Sequence, residues 1–133
     1  MGVYFNPKNG SFTGDKNSRI YVDKTGLLEY LNGLLGTSGR CVAVSRFGKS
    51  HAAGMIDAYY SLGCDSSNLF DDTAIADSAY YRKYMNKYNV IHLDISSVWD
   101  FHKEDLADTI KKRICKDFKK EYGDTLDYNE DLY

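Results

Sequence analysis

The sequence predicts an α/β fold, a small and mainly parallel sheet flanked by helices. Two apolar, β-prone runs predict the strands: Cys41-Val42-Ala43-Val44-Ser45 and Asn89-Val90-Ile91-His92-Leu93-Asp94-Ile95. Segments of helical period lie before, between and after them. The order helix, strand, helix, helix, strand, helix belongs to an α/β protein with at least two parallel strands. The chain has 133 residues, 43% hydrophobic and 27% charged, which suits one globular domain spanning 1–133.

Each element has a local reason. Residues 1–19 are rich in Gly, Asn, Ser and Lys and read as an irregular lead-in. Arg19-Ile20-Tyr21-Val22 reads as a short strand, and Asp23 as an N-cap whose carboxylate accepts the amide hydrogens of a first helical turn. Leu27, Leu28, Leu31, Leu34 and Leu35 then share one helical face, with Gly36 as the stop. A second helix is expected from Ser50 to about Leu62, ended by Gly63; Gly54 within it costs about 1 kcal/mol against alanine. Residues 63–76 read as a loop, and Asp77 as the cap of a short helix carrying Tyr80, Tyr81, Tyr84 and Tyr88. The clearest helix covers 105–122, where Leu106, Ile110, Ile114, Phe118 and Tyr122 recur every fourth residue. An acidic tail follows, 123–133.

Composition excludes several classes. No apolar run approaches the ~20 residues that cross a bilayer. The start, Met1 to Pro7, lacks the basic and apolar regions of a secretion signal, and Asn6 breaks a myristoylation pattern at Gly2. Lys and Arg total 17 and Asp and Glu 19, a net charge of −2, which argues against a nucleic-acid partner. Cys41, Cys64 and Cys115 are far apart and odd in number, so a disulfide framework or zinc knuckle is not expected and a cytoplasmic location is. There are 12 tyrosines and one proline. Tyrosine buries a ring while its hydroxyl still needs a partner, so these residues point to packing surfaces or an interface.

The informative segment is Ser45-Arg46-Phe47-Gly48-Lys49-Ser50, a Gly-Lys-Ser between an apparent strand and a helix. That is the end of a phosphate-binding loop. Amides at a helix N-terminus favour an anion, Gly48 lets backbone approach a phosphate, Lys49 supplies a mobile positive charge and Ser50 a hydroxyl for Mg²⁺. Around it, Met1 to Pro7, Ile20-Tyr21-Val22-Asp23-Lys24-Thr25-Gly26-Leu27 and Lys87-Tyr88-Asn89-Val90-Ile91-His92-Leu93-Asp94 appear in one order. Together these segments resemble the N-terminal part of the bacterial predicted AAA-ATPase (AAA-ATPase-like) family, from residue 1 to at least Trp99. The resemblance implies a P-loop NTPase-like domain that binds ATP and Mg²⁺, in proteins that often continue into a nuclease-like domain.

Two departures qualify what the resemblance implies. The family usually writes the loop as Ser-Arg-Pro-Arg-Arg-Phe-Gly-Lys-Ser, so Pro-Arg-Arg or an equivalent is missing here. The slot for the first glycine of a full loop falls on Ala43, and only Arg46 and Phe47 lie between the strand and Gly48. The acidic Walker B segment is also missing: Asp94 ends an apolar run but is followed by Ile95, and by the resemblance that run is the strand after the loop helix. The expected fold is therefore a truncated P-loop domain lacking its middle strands, with a rearranged sheet, a homo-oligomer or a protein partner completing it. The expected function is ATP binding through Ser45, Arg46, Phe47, Gly48, Lys49 and Ser50, with Mg²⁺ held through Ser50 and the nucleotide. Hydrolysis by this chain alone is not expected. The alternative is a protein-binding or inhibitory module that works without nucleotide.

Other candidates carry blander readings. His51 reads as a surface histidine, His92 as a satisfied core histidine and His102 as a loop residue. Asp94 with Asp117-Phe118-Lys119 mimics a nuclease spacing, but Phe118 on the core face makes its neighbours diverge. Lys111, Lys112, Arg113, Lys116, Lys119 and Lys120 read as the solvated face of a helix.

Overall fold

A computed structural model describes residues 4–39, 42–43, 45, 47–95 and 106–123. Its elements are helices α1 (Gly10–Lys16), α2 (Gly26–Leu34), α3 (Lys49–Tyr60) and α4 (Ser67–Phe70), a 3₁₀ turn (Ala74–Asp77), and helices α5 (Tyr81–Tyr84) and α6 (Leu106–Tyr122).

The expected parallel sheet is absent among the described residues. Strand pairing there is confined to two isolated bridges, Phe5 antiparallel to Ile91 and Ser61 parallel to Tyr88. Of the first expected strand, Cys41 and Val44 lie outside the described residues, while Val42, Ala43 and Ser45 are exposed and without regular structure. The second, from Asn89, is held by one backbone bridge on each side and leaves Ile91, Leu93 and Ile95 exposed. The physical reason is that a strand pair becomes stable only with further strands or a helix covering its apolar face. Neither run has such a neighbour here. The short strand expected at Arg19–Val22 is likewise irregular.

The lead-in also differs from expectation, since Gly10–Lys16 is helical. Two glycines make this a poor helix by propensity. Packing stabilises it instead. Phe12 is buried and stacks on Phe70, with ring centroids 4.8 Å apart. α1 lies so close to α3 that a Cβ on Gly54 would sit 2.8 Å from Ser11 Oγ and 3.2 Å from Ser11 Cβ. The glycine that weakens α3 locally is what lets α1 approach.

α3 runs through the centre, with Ala52, Met55, Ala58, Tyr59 and Tyr60 buried. Leu28 of α2, Phe70, Ile75, Tyr81 and Met85 complete the core with Phe12. Within this apolar cluster sits the side chain of Asn32, fully satisfied by tyrosines. Its Nδ2 donates to Tyr59 Oη (3.0 Å) and its Oδ1 accepts from Tyr60 Oη (2.7 Å). Tyr59 Oη in turn donates to the Tyr81 carbonyl (2.7 Å). Burial, reinforced by neighbouring tyrosines, pushes the Tyr60 hydroxyl well above its ordinary pKa, and burial raises Tyr59 as well.

α6 matches its expected span, but its most buried residue is Asp117, an acid. Asp117 Oδ2 accepts the amide hydrogen of Tyr4 (2.8 Å), and Arg113 Nη1 donates to Tyr4 Oη (2.6 Å). Phe5 packs edge-on to Phe118 and Tyr122, at 5.1 and 5.9 Å between centroids. Asn6, in a left-handed conformation (φ 46°), is tied by backbone and side chain to Val90. α6 thus docks on the segment Tyr4–Asn6, which itself lies along residues 89–92.

Two expectations follow. Gly54→Ala gains helix propensity but overpacks the α1 seam, so urea denaturation is expected to show a net loss of about 1 kcal/mol. The double variant Gly54→Ala/Ser11→Gly recovers that loss. Second, Tyr21, Tyr59, Tyr60 and Tyr81 all have raised hydroxyl pKa values, Tyr21 to about 12. The folded state keeps these protons when the unfolded state has begun to lose them. Stability is therefore full below about pH 10 and falls above it. Absorbance titration at 295 nm is expected to show these tyrosines ionising later than the exposed ones.

Candidate functional site

The N-terminus of α3 is built by Gly48. Its φ of 86° and ψ of 20° are left-handed, a conformation that glycine adopts without the Cβ clash. The turn leads into Lys49 and Ser50, both exposed, and Gly48 O accepts the first helical bond from Ala52 N (2.9 Å). No side chain caps this end of the helix. The first-turn amides of a helix have no partner within the helix, and the peptide dipoles make that end positive.

The expected site residues fall as follows. Gly48, Lys49 and Ser50 come together at the start of α3, and Phe47 precedes them, 99% exposed. Ser45 is exposed, and Arg46 lies outside the described residues. Because residues 42, 43 and 45 are not in a strand, the lead into Gly48 is longer than the sequence reading allowed.

A residue to which the sequence reading gave no role reaches this loop. Lys24 Nζ lies over Gly48, where a Cβ would collide with it, and donates to the Phe47 carbonyl (3.4 Å). The segment that carries it is anchored on both sides of Lys24. Asp23 accepts the amide hydrogens of Thr25 and Ala74 (2.8 Å each), and Thr25 Oγ1 accepts that of Ile75 (3.1 Å). Burial pushes the Asp23 carboxyl up, yet the amides of Ala74 and Thr25, the Thr25 hydroxyl and nearby Lys16 hold it below the ordinary value. Asp23, expected to cap α2, thus also ties that helix to the 3₁₀ turn.

Beside the loop, His51 Nδ1 lies 2.6 Å from Asp15 Oδ1 of α1. Further along α3, His92 Nδ1 lies 2.5 Å from Asp57 Oδ2. Burial pushes the Asp57 carboxyl above its usual range, although His92 pulls it down. His92 is therefore a partnered, half-buried residue, and Asp117 is structural. No group of three or more His, Cys, Asp or Glu side chains among the described residues could hold a metal ion. Cys64 and Cys115 are free thiols. No helix among the described residues is long and apolar enough to cross a membrane.

These features define a mostly helical domain organised around one central helix whose positive end is open and faced by lysines. The chain belongs to the predicted AAA-ATPase (AAA-ATPase-like) family, whose model matches residues 14–131. No curated protein and no solved structure matches it.

Gly48→Ala tests the geometry. A Cβ in the left-handed region costs roughly 1–2 kcal/mol, and here it also displaces Lys24. The loss of stability in urea is expected to be smaller in a Lys24→Ala background, because only the backbone strain remains.

Proposed function

We propose that this chain binds the phosphates of a nucleotide, ATP with Mg²⁺, at the N-terminus of α3, and does not hydrolyse it alone. The observation that carries the reading is Gly48: left-handed, uncapped by any side chain, and overlain by a lysine from a distant segment. Membership of the predicted AAA-ATPase family supports it. Gly48 opens the backbone, Lys49 and Lys24 face the phosphate charge, and Arg46 and Ser45 flank the approach. Ser50 offers its hydroxyl to the nucleotide-bound Mg²⁺. The free thiols and the balanced charge fit a cytoplasmic setting.

A second reading rests on a different observation. Val42, Ile91, Leu93 and Ile95 are exposed apolar side chains around the segments expected to pair as strands. Exposed apolar surface of this kind suits a protein partner or a second copy of the chain. Under this reading the chain is a binding or inhibitory module without nucleotide.

Calorimetric titration of Mg-ATP separates the two. Binding that weakens at least about tenfold, or about 1.4 kcal/mol, in Lys49→Ala supports the first reading. No heat at millimolar ATP, with a concentration-dependent mass in sedimentation, supports the second.

A further inference from the structure

A cavity of about 210 Å³ opens between α1, the segment from Ser18 to Lys24, and the first two turns of α3. Phe12, Ile20, Val22 and Met55 give it apolar walls, and Asp15 and His51 give it a polar rim. Ile20 and Val22 are 82% and 65% exposed, two neighbouring apolar side chains left open at its mouth. Tyr21 also lines it, and the Tyr21 hydroxyl is buried with no hydrogen-bond partner among the described residues.

Lys24 connects this cavity to the loop. It lines the cavity, and its ammonium lies over Gly48 at the positive end of α3. α3 makes the same connection, since His51, Ala52 and Met55 of the cavity follow directly on Lys49 and Ser50. Small-molecule sites of this kind combine apolar walls with a few polar groups that fix orientation. A flat heteroaromatic ring has the matching chemistry, with apolar faces and a hydrogen-bonding edge. The Asp15 carboxylate, already taking His51 on one oxygen, keeps acceptor capacity for a donor on that edge.

We propose that this cavity seats the purine base of the bound nucleotide, and that Lys24 spans from the base pocket to the phosphates. The proposal rests on the phosphate reading above and gives it a specificity: the ligand is a purine nucleotide rather than any polyphosphate. The pocket walls are Ile20 and Val22 on one side and Met55 and Phe12 on the other. The base enters past the two exposed side chains at the mouth.

The test titrates three probes: Mg-ATP, Mg-tripolyphosphate and adenosine. The proteins are the wild-type chain and Ile20→Asn/Val22→Asn, whose replaced side chains are exposed, with an unchanged circular dichroism melt as the check of folding. Wild type is expected to bind ATP at least about tenfold more tightly than tripolyphosphate. The double variant is expected to bind ATP no better than tripolyphosphate, with its tripolyphosphate affinity within about twofold of wild type. Equal affinity of wild type for ATP and tripolyphosphate overturns the base pocket and leaves the phosphate site standing. An equal loss for both ligands in the variant also overturns it, because the two residues then merely support the loop. Adenosine separates the remaining cases. Binding of adenosine without tripolyphosphate, lost in the variant, keeps the pocket and removes the phosphate site. Binding of none of the three probes removes both.

Discussion

The structure depends on how one buried amide is satisfied. Asn32 sits in an apolar core where an unpaired polar atom costs about 1–3 kcal/mol. Its two polar ends are met by Tyr59 and Tyr60, adjacent residues at the end of α3, and Tyr59 passes the chain of bonds on to the carbonyl of Tyr81. Three elements, α2, α3 and the start of α5, are fixed to one another by a single network. That arrangement has a direct bearing on the site. Lys24 lies just before α2 and Gly48 just before α3, so the network that joins these helices also sets the distance between the lysine and the loop.

The Asp23–Thr25 anchor acts on the other side of Lys24. It fastens the chain to the 3₁₀ turn through amide hydrogens on both flanks and leaves the intervening side chain directed at Gly48. The lysine is therefore positioned by backbone bonding around it, while its own contacts are long. Asp15 and His51 reach the same region from α1 and α3. The α1–α3 seam is in turn set by Gly54, so the geometry beside the loop follows from a missing Cβ two turns further along the helix.

The sequence made helix ends legible where glycine stops them. Gly36 and Gly63 both take positive φ, as their places after apolar helical runs implied. The long 105–122 pattern and the start of α3 near Ser50 were equally plain. The sheet was not. A five-residue apolar run is the same pattern whether it pairs as a strand or passes as exposed coil, and only neighbouring chain decides. α1 was hidden because Gly10 and Gly14 lower its propensity, and its stability comes from Phe12 and the seam with α3. Asp117 was hidden by its charge, since the partner that accounts for its burial is an amide far off in the sequence. Within the site, Gly48, Lys49 and Ser50 could be read from their spacing. The role of Lys24 could not, because no local pattern links a residue before α2 to the turn before α3.

That bond between Tyr4 and Asp117 joins residues 113 positions apart, and Phe5 and Asn6 strengthen the same closure. During synthesis the segment Tyr4–Asn6 leaves the ribosome first, yet the face of α6 that covers it is made last. A native contact of such long range pays its loop entropy only when the intervening chain is already compact. The N-terminal residues must therefore wait through most of translation with Phe5 uncovered, and the folding of this chain completes at its beginning.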